Sequence, residues 1–315
     1  MDHRRFAMQH RGDDTGGPLP VWVRAGLGGL WLLDTLLQAQ PGMFGIAMLS
    51  GIMQPAALGQ PAWLAVIMAW AVRLITPHVA LWNTGFVVVQ AAIAAGILVP
   101  RARWNRAALW LSVAWSAVVW VFGEGMGQVL TGAATPVGGA PGSVALYGAI
   151  AALLLAGWGR GRPEVLPWAR ELAAGLFAAG AVAQAAPLYW TPLGLSAVFQ
   201  GATLMQPHWL VASIAPVVAA AFATPVLVNA ALVGIMAVAA VGIWRGSRWG
   251  YVLAGTWLLS AWWAGQGFGM LLTGMGTDPN TAPLLTLLLV AAARQRLEPA
   301  VPRPEAGERP PMVGR

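Results

Sequence analysis

A glycine-rich stretch near the middle of the chain returns near its end, and this duplication limits the architectures that the chain can adopt. Residues Trp120–Pro141 and Trp262–Pro283 share a Gly-x-Gly-x-Gly run, a Leu-Thr-Gly, a threonine and an Ala-Pro, all 142 residues apart (265 against 123, 283 against 141). Agreement at so many ordered positions indicates an internal repeat. We therefore expect two copies of one structural unit.

Further matches at an offset of 146 residues extend the duplication towards the start of each half. Gln60-Pro61 returns as Gln206-Pro207, and Asn83 returns as Asn229 inside an equally apolar run. Both ends of the chain are polar or proline-rich, a composition typical of disordered tails. The expected divisions are a cytoplasmic tail over 1–23, a first membrane repeat over 24–162, a second over 163–297 and a cytoplasmic tail over 298–315.

The composition indicates an integral membrane protein. Of the 315 residues, 58% are hydrophobic and only 9% are charged, with a mean hydropathy of +0.65, whereas soluble domains carry about 25% charged residues. All 18 basic residues are arginines, scattered between apolar runs rather than gathered in a phosphate-binding stripe, which argues against nucleic acid as a partner. The absence of cysteine excludes disulfides, thiolate metal sites and iron–sulfur ligation.

The arginines predict the topology, because cytoplasmic loops of membrane proteins are enriched in them. If each half crosses the bilayer four times, Arg101, Arg160 and Arg245 fall on one side, and both glycine-rich loops fall on the other. We therefore expect an all-α integral membrane protein of the bacterial inner (plasma) membrane, with two parallel tandem repeats of four transmembrane helices each and both termini cytoplasmic. The interrupted segments 43–76 and 190–224 are expected to form short interfacial or re-entrant helices on the outer side.

Three charged residues of the first half stand at membrane depth or on the outer side, and all three are missing from the second half. Asp34, Arg73 and Glu124 correspond to Gly180, Ala219 and Gln266. The members of one ionic network are expected to be lost together, because removing one of them leaves a buried charge without a partner. We predict an ionic cluster of Asp34, Arg73 and Glu124; three separately solvated charges at the headgroup level are the alternative.

His78 follows Arg73 by about one helical turn. It could join the predicted cluster as a proton-transfer group. Alternatively, it is a loop histidine that faces water after Pro77.

The repeated glycines and asparagines have simpler structural interpretations. Glycines four residues apart suit close helix packing, and a loop whose amides hold an anion is the alternative. Asn83 and Asn229 are interpreted as interhelical hydrogen-bonding residues. The glycines concerned are Gly123, Gly125 and Gly127 in the first copy, and Gly265, Gly267 and Gly269 in the second.

No cofactor or metal site is predicted from the sequence. Met43, Met48 and Met53 are five residues apart, a spacing that does not align them on one helix face for Cu(I), so we interpret them as packing residues. His78 and His208 are not equivalent in the repeat, which argues against paired haem ligation.

The first span and the order of later features resemble DoxX-type four-helix membrane proteins. The resemblance rests on the run Arg24–Leu33, then Asn83, Pro100-Arg101 and a further span ending near Glu124. It would cover each half once, and it implies a quinone- or respiratory-chain-associated membrane subunit without catalytic residues to carry over. Two other functions stay open: a permease for a small solute, with its site near the outer face of the first repeat, and a structural or assembly protein. The expected partners are the lipid bilayer and other membrane proteins, and whether the chain is an enzyme stays open.

Overall fold

The computed structural model describes residues 17–158, 166 and 168–297, and within these ranges every regular element is helical. The first described helix begins at Val21 and Leu19 is buried, so helical structure begins before residue 24, where the first repeat was expected to begin. The expected tail 298–315 and most of the arginine-rich link near residue 162 lie outside the described residues.

Six helices form the described part of the first half. α1 is continuous through three pieces, Val21–Val23, a π-helical turn over Arg24–Gly28, and Gly29–Gln38. Short 3₁₀ turns lie at Pro41–Phe44, Thr76–His78 and Gly125–Thr131. The remaining helices are α2 (Ile46–Ala56), α3 (Ala62–Ile75), α4 (Val79–Leu98), α5 (Ala102–Phe122) and α6 (Ser143–Trp158).

Six helices also form the second half, and many of their ends coincide with those of the first at the offsets read from the sequence. α4 and α10, for example, both run for 20 residues and are related end to end by 146 positions. Turns of 3₁₀ type return at Pro187–Trp190 and Gly267–Met270. The helices are α7 (Ala169–Gln184), α8 (Pro192–Gly201), α9 (His208–Ala223), α10 (Pro225–Trp244), α11 (Arg248–Ala264) and α12 (Thr281–Leu297).

Three helical segments of the described chain are long and apolar enough to cross a membrane. They are Ala62–Leu98, Ala102–Phe122 and Pro225–Trp244, with 37, 21 and 20 residues respectively. A spanning helix needs about 20 apolar residues. The remaining apolar helices are shorter, and an all-helical protein with these three segments is compatible with the membrane class expected from composition.

The longest of the three segments joins a short helix to a long one. α3 passes into α4 through a single 3₁₀ turn, and the break is at His78, with φ −142° and ψ 48°. The corresponding break between α9 and α10 is at Thr224, with φ −135° and ψ 56°. A threonine and a histidine therefore adopt the same bend, so the bend follows from the helix packing around it rather than from a particular side chain.

Packing within each half follows one scheme. α4 lies between α1 and α5, and α5 packs on α6; α10 and α11 repeat these positions, and α12 packs on both α7 and α11. Close approach of α10 and α11 depends on Gly242 and Gly250, because a Cβ added at Gly242 would lie 2.5 Å from the Gly250 Cα. The two halves meet through α6 and α12.

Candidate functional site: an acid-lined cavity in the first half

Both glycine-rich stretches fold into a left-handed turn. Gly125, Met126, Gly127 and Gln128 have φ values of 53°, 53°, 61° and 61°, and the second turn has 51°, 54°, 68° and 57° over Gly267–Met270. Side chains with a Cβ rarely adopt this region, and glycine does so without steric cost. These glycines are therefore loop residues, and the expected i, i+4 helix packing through Gly123 and Gly127 is not what the structure shows.

Close packing is a second reason why these positions require glycine. A Cβ on Gly125 would lie 2.4 Å from the Ala56 carbonyl oxygen, and one on Gly127 would lie 1.9 Å from the Pro141 oxygen. In the second turn, Gly267 meets the Ala202 oxygen at the same 2.4 Å. Each turn therefore packs between the end of a short helix and the segment that leads into the last helix of its half.

Two hydrogen bonds fasten each turn in the same way. The Gln60 side chain donates to the Gly125 oxygen (2.7 Å), and Gln206 donates to Gly267 (2.9 Å). In each half, one indole also binds the segment that leads into the last helix. Trp120 donates to the Pro141 oxygen at 2.7 Å, and Trp262 donates to the Pro279 oxygen at 2.8 Å.

These contacts correct the sequence alignment at the end of the turn. Pro141 takes the position of Pro279, not of Pro283 as the constant offset of 142 predicted, because Trp120 and Trp262 bind these two prolines. The sequence offset falls from 142 to 138 because the first copy has four additional residues, 137–140, between Pro136 and Pro141.

Asn83 and Asn229 each make a buried, two-way pair with a glutamine. Asn83 donates to the Gln38 backbone oxygen (3.0 Å) while the Gln38 amide donates back to the Asn83 side chain. Asn229 and Gln184 form the same pair, at 3.1 and 2.8 Å. These bonds join α1 to α4 and α7 to α10, where an unpaired amide would be costly.

Glu124 lies just beyond the end of α5 and faces the start of α6. Its Oε1 accepts from the Ser143 hydroxyl (2.8 Å) and the Val144 amide (3.3 Å), whereas Oε2 is buried without a hydrogen-bond partner in the described chain. Burial, and secondarily the negative charge of Asp278, raise the pKa of Glu124 from 4.5 to about 8. Glu124 is therefore protonated at neutral pH in the empty site.

Asp34 is the deepest of the acids. It is 2% exposed on α1, and its Oδ1 has no hydrogen-bond partner within the described chain. One turn earlier, Trp31 donates to the Ser112 hydroxyl (3.2 Å) and lies 4.3 Å from the Tyr147 ring centre. The Tyr147 hydroxyl faces the Asp34 carboxylate.

A third acid reaches the same place from the second half. Asp278 follows the second glycine turn, and its carboxylate accepts from the Thr277 hydroxyl (2.9 Å) and the Asn280 amide (2.7 Å). It is close enough to influence the ionisation of Glu124. The second half of the chain therefore contributes directly to the cavity in the first half.

The acids line a cavity of about 260 Å³. Asp34, Glu124 and Asp278 border it, together with the amides of Gln38 and Gln90. The remaining wall is mostly apolar and strongly aromatic. Its aromatic members are Trp70, Trp82, Phe86, Trp115 and Phe122.

A second cavity, of about 240 Å³, shares two of these carboxyls. Glu124 and Asp278 line both cavities, and the second is otherwise bordered by small and polar residues such as Gly139, Ser143 and Asn280. The two carboxyls therefore border both an aromatic chamber, which is the first cavity, and a polar vestibule, which is the second.

The second half has no equivalent set of acids among its described residues, and a loop from the first half fills the corresponding place. A Cβ on Gly180, the counterpart of Asp34, would lie 2.9 Å from the Pro136 ring. The preceding residue, Thr135, donates to the Gln184 side chain at 2.6 Å. The two loops thus cross: Pro136 from the first copy packs into the second half, and Asp278, its counterpart, lines the cavity of the first.

The predicted cluster differs from the observed one in its members. The structure brings Asp34 and Glu124 to one cavity, but Arg73 is exposed on α3 and forms no ion pair within the described residues. His78 is also exposed, at the bend before α4. Arg73 occupies a surface position because α3 turns its Ala71 and Ile75 inward.

Sequence reasoning did not identify Asp278 and Tyr147. Asp278 could have been found as the charged replacement of Pro136 in the repeat, whereas Tyr147 gave no signal. Within the ranges that the structure covers, no group of three or more His, Asp or Glu side chains is arranged to hold a metal ion.

Comparisons with known proteins found no matching family model, no matching curated protein and no matching solved structure.

Proposed function

We propose that the chain is a membrane permease that binds a small solute in the cavity between Asp34, Glu124 and Asp278. The supporting observation is the cavity itself: about 260 Å³ of space, with carboxyl and amide groups at one end and aromatic walls around the rest. Ligand sites are typically concave, mostly apolar and equipped with a few placed polar groups. A polar vestibule beyond Glu124 and Asp278 supplies a second side from which the site can be reached.

The proposed membrane architecture is two parallel tandem repeats, each with four crossings. Matching helix ends, left-handed turns and hydrogen bonds in the two halves support it. An even number of crossings brings the two ends of each repeat to one face. In support, Arg24 at the start of α1 donates to the Leu98 oxygen at the end of α4, and Arg294 near the end of α12 lies 4.9 Å from the Trp22 ring centre.

The orientation and location follow from the same arrangement. The face with these arginines is the cytoplasmic one by the positive-inside rule, and the glycine turns and the candidate site lie towards the outer face. We place the protein in a bacterial-type inner membrane with cytoplasmic termini, surrounded by lipid and open to contact with other membrane proteins.

The aromatic chamber borders surfaces that face outward from the protein. Trp70 on α3 is 54% exposed, and Leu74 and Val118 beside it are also exposed while lining the cavity. In the proposed topology these residues meet lipid, so an apolar solute could reach the chamber from the bilayer. A purely structural or assembly protein would be expected to have a sealed apolar interior, and the two acid-lined cavities favour a permease over it.

A quinone-associated membrane subunit is the second candidate. The same lateral position of the cavity favours it, because quinones are dissolved in the bilayer and need protonatable groups at the ring oxygens. The DoxX resemblance is a further reason to test it. A quinone analogue that competes for the chamber, with loss of competition in Asp34→Asn, would support this candidate.

Solute binding to the full chain in lipid nanodiscs tests the proposal. Trp70, Trp82 and Trp115 line the chamber, so a bound aromatic solute should change the intrinsic fluorescence. A panel of cationic, neutral and anionic phenylalkyl compounds would be titrated, followed by uptake of any binder into proteoliposomes. We expect saturable binding and uptake that Asp34→Asn weakens at least tenfold.

Glu171→Gln provides the matched control, because Glu171 is an exposed acid paired with Arg170 at 3.0 Å, outside both cavities. It should bind and transport as the wild type does. Absence of saturable binding by every member of the panel would refute a solute site in this cavity.

A further inference from the structure

Most of the buried polar atoms that line the chamber without a hydrogen-bond partner among the described residues are oxygens. Asp34 Oδ1 and Gln90 Oε1 are acceptors, Glu124 Oε2 becomes an acceptor when its carboxyl loses the proton, and Trp115 Nε1 is the one N–H donor of this described set. Gln90 is independent of the acids: it lies on α4, is 7% exposed and lines the same cavity. Buried acceptors of this kind are normally satisfied, so the missing partner is a group that donates several hydrogen bonds.

The charge of the site favours a cation. Three carboxyls from α1, the turn after α5 and the turn before α12 converge on the cavity, and no basic residue lines either cavity in the described chain. The exposed Arg73 does not compensate them. Ionised carboxylates this deeply buried need a positive partner, and a primary ammonium supplies both the charge and three N–H donors.

The walls of the chamber indicate the size and the aromatic character of the ligand. Five aromatic side chains surround the chamber, and aromatic rings attract cations at their faces and stack on other rings. A hydrated inorganic ion gains little from such walls. The volume, about 260 Å³, is slightly below the range of about 300–1,000 Å³ for drug-sized ligands. A single ring on a short alkyl amine fits these limits.

We propose that the solute is a small aromatic primary ammonium, which displaces the proton held by Glu124 when it binds beside Asp34, Glu124 and Asp278. This inference rests on the proposed function and names its substrate class. When the chamber is empty, Glu124 carries a proton; when the ammonium binds, that proton leaves and the carboxylate pairs with the cation. Glu124 and Asp278 also line the polar vestibule, which gives the proton a path to water. Tyr147 is the other titratable group that faces Asp34.

The second half of the chain has no polar side chain that corresponds to Asp34 or Gln90, and it has an amide in place of Glu124. Asp34, Gln90 and Glu124 are replaced there by Gly180, Met236 and Gln266. The Gln266 side chain donates to the Thr281 hydroxyl (3.1 Å) and accepts from the Ala282 amide (3.3 Å) at the start of α12. Glu124 bonds the start of α6 in the corresponding way. Glutamine therefore satisfies the fold at this position, and the acid in the first half is not required for it.

The experiment compares phenethylammonium with its uncharged analogue 2-phenylethanol on the full chain in nanodiscs. Tryptophan fluorescence would follow binding between about pH 6 and about pH 8, where the amine remains protonated. We expect the ammonium to bind at least tenfold more tightly than the alcohol. Displacement of one proton should raise its affinity by about tenfold per pH unit in this range.

Glu124→Gln is the diagnostic variant, because the second half shows that glutamine fits this position. It should weaken ammonium binding and flatten the pH dependence, and leave binding of the alcohol unchanged. Glu171→Gln should behave as the wild type, and size-exclusion profiles would verify that each variant is folded.

Equal binding of the alcohol and the ammonium, or an ammonium affinity that does not change with pH, would overturn the inference while leaving the solute site in place. Saturable binding of neither compound, with a neutral or anionic member of the broader panel binding instead, would also overturn it alone. Failure of every compound to bind would remove the proposed function as well.

Discussion

Replacing Glu124 with glutamine should change how the stability of the protein depends on pH. The carboxyl of Glu124 has a pKa of about 8 in the folded chain, raised from 4.5 mainly by burial. In the unfolded chain it loses its proton near pH 4.5, while the folded chain retains the proton up to about pH 8. The stabilisation is therefore complete below the unfolded pKa and is lost as the pH rises through the folded one.

The size of the effect follows from the difference between the two pKa values. Each unit corresponds to about 1.4 kcal/mol, so the elevation from 4.5 to about 8 represents about 5 kcal/mol of unfolding free energy lost across that range. The glutamine that replaces Glu124 in the variant does not titrate. The difference in unfolding free energy between wild type and Glu124→Gln should fall by about 1.4 kcal/mol for each pH unit between about 5 and about 7.5.

Reversible unfolding in mixed detergent micelles, followed by circular dichroism at several pH values, measures this difference. Subtracting the variant from the wild type removes contributions from Asp34 and Asp278 that do not depend on Glu124. Glu171→Gln serves as the control: its carboxylate is exposed beside Arg170, so its difference curve should be flat. A difference for Glu124→Gln that stays constant within about 0.5 kcal/mol would show that this carboxyl ionises in the folded protein as it does in water.

Three further substitutions test the packing that builds the site. Gly127→Ala should destabilise the fold by more than about 3 kcal/mol, because its Cβ would lie 1.9 Å from the Pro141 oxygen at a φ of 61°; Gly132→Ala, at a φ of 74° with open space, should cost only about 1 kcal/mol by denaturation. Asn83→Ala should cost about 1–3 kcal/mol by leaving the Gln38 groups unpaired, and Asn229→Ala should match it if the two pairs are equivalent. Gly180→Ala should cost about 1–3 kcal/mol through its 2.9 Å approach to Pro136, while Gly175→Ala on the same helix meets nothing within 4 Å and should be neutral or stabilising in the same thermal melts.

The helical class could be predicted from the sequence because it depends on composition and on the length of apolar runs. The stretches before Pro100 and after Arg101 form α4 and α5, and the interrupted segment between Gly42 and Thr76 forms the short helices α2 and α3. These are local properties. A proline or a glycine in the sequence directly limits how far a helix can extend.

The glycine turn could not be predicted in detail, because spacing alone does not show the backbone conformation. Gly123 and Gly127 are four residues apart, which suits a helix face as well as a loop. The decisive facts are the positive φ values from Gly125 to Gln128 and the contact with Pro141. Both depend on a segment that returns to the turn from later in the chain.

The candidate site was predicted only in part, for a physical reason. Asp34, Glu124 and Arg73 were predicted as a group because all three are absent from the second half. An alignment of the two halves shows which residues differ, but it does not show which of them lie close together in space. Arg73 lies on the outward side of α3. Asp278 comes from the other half of the chain, 154 residues after Glu124 and 244 after Asp34, and such a separation leaves no local sequence pattern.

The crossing of the two loops explains why, among the described residues, the acids gather in the first half and not in the second. In a symmetric pair, each loop would present the same residue to the opposite half. Here Pro136 packs against Gly180, while its counterpart Asp278 lines the cavity beside Glu124. The four additional residues after Pro136 let Val137 pack over Gly265, where a Cβ would lie 2.3 Å from the Val137 oxygen. The first half therefore supplies an apolar contact to the second, and the second half supplies an acid to the cavity of the first, so the difference between the halves, rather than their likeness, accounts for the acid-lined cavity in the first half.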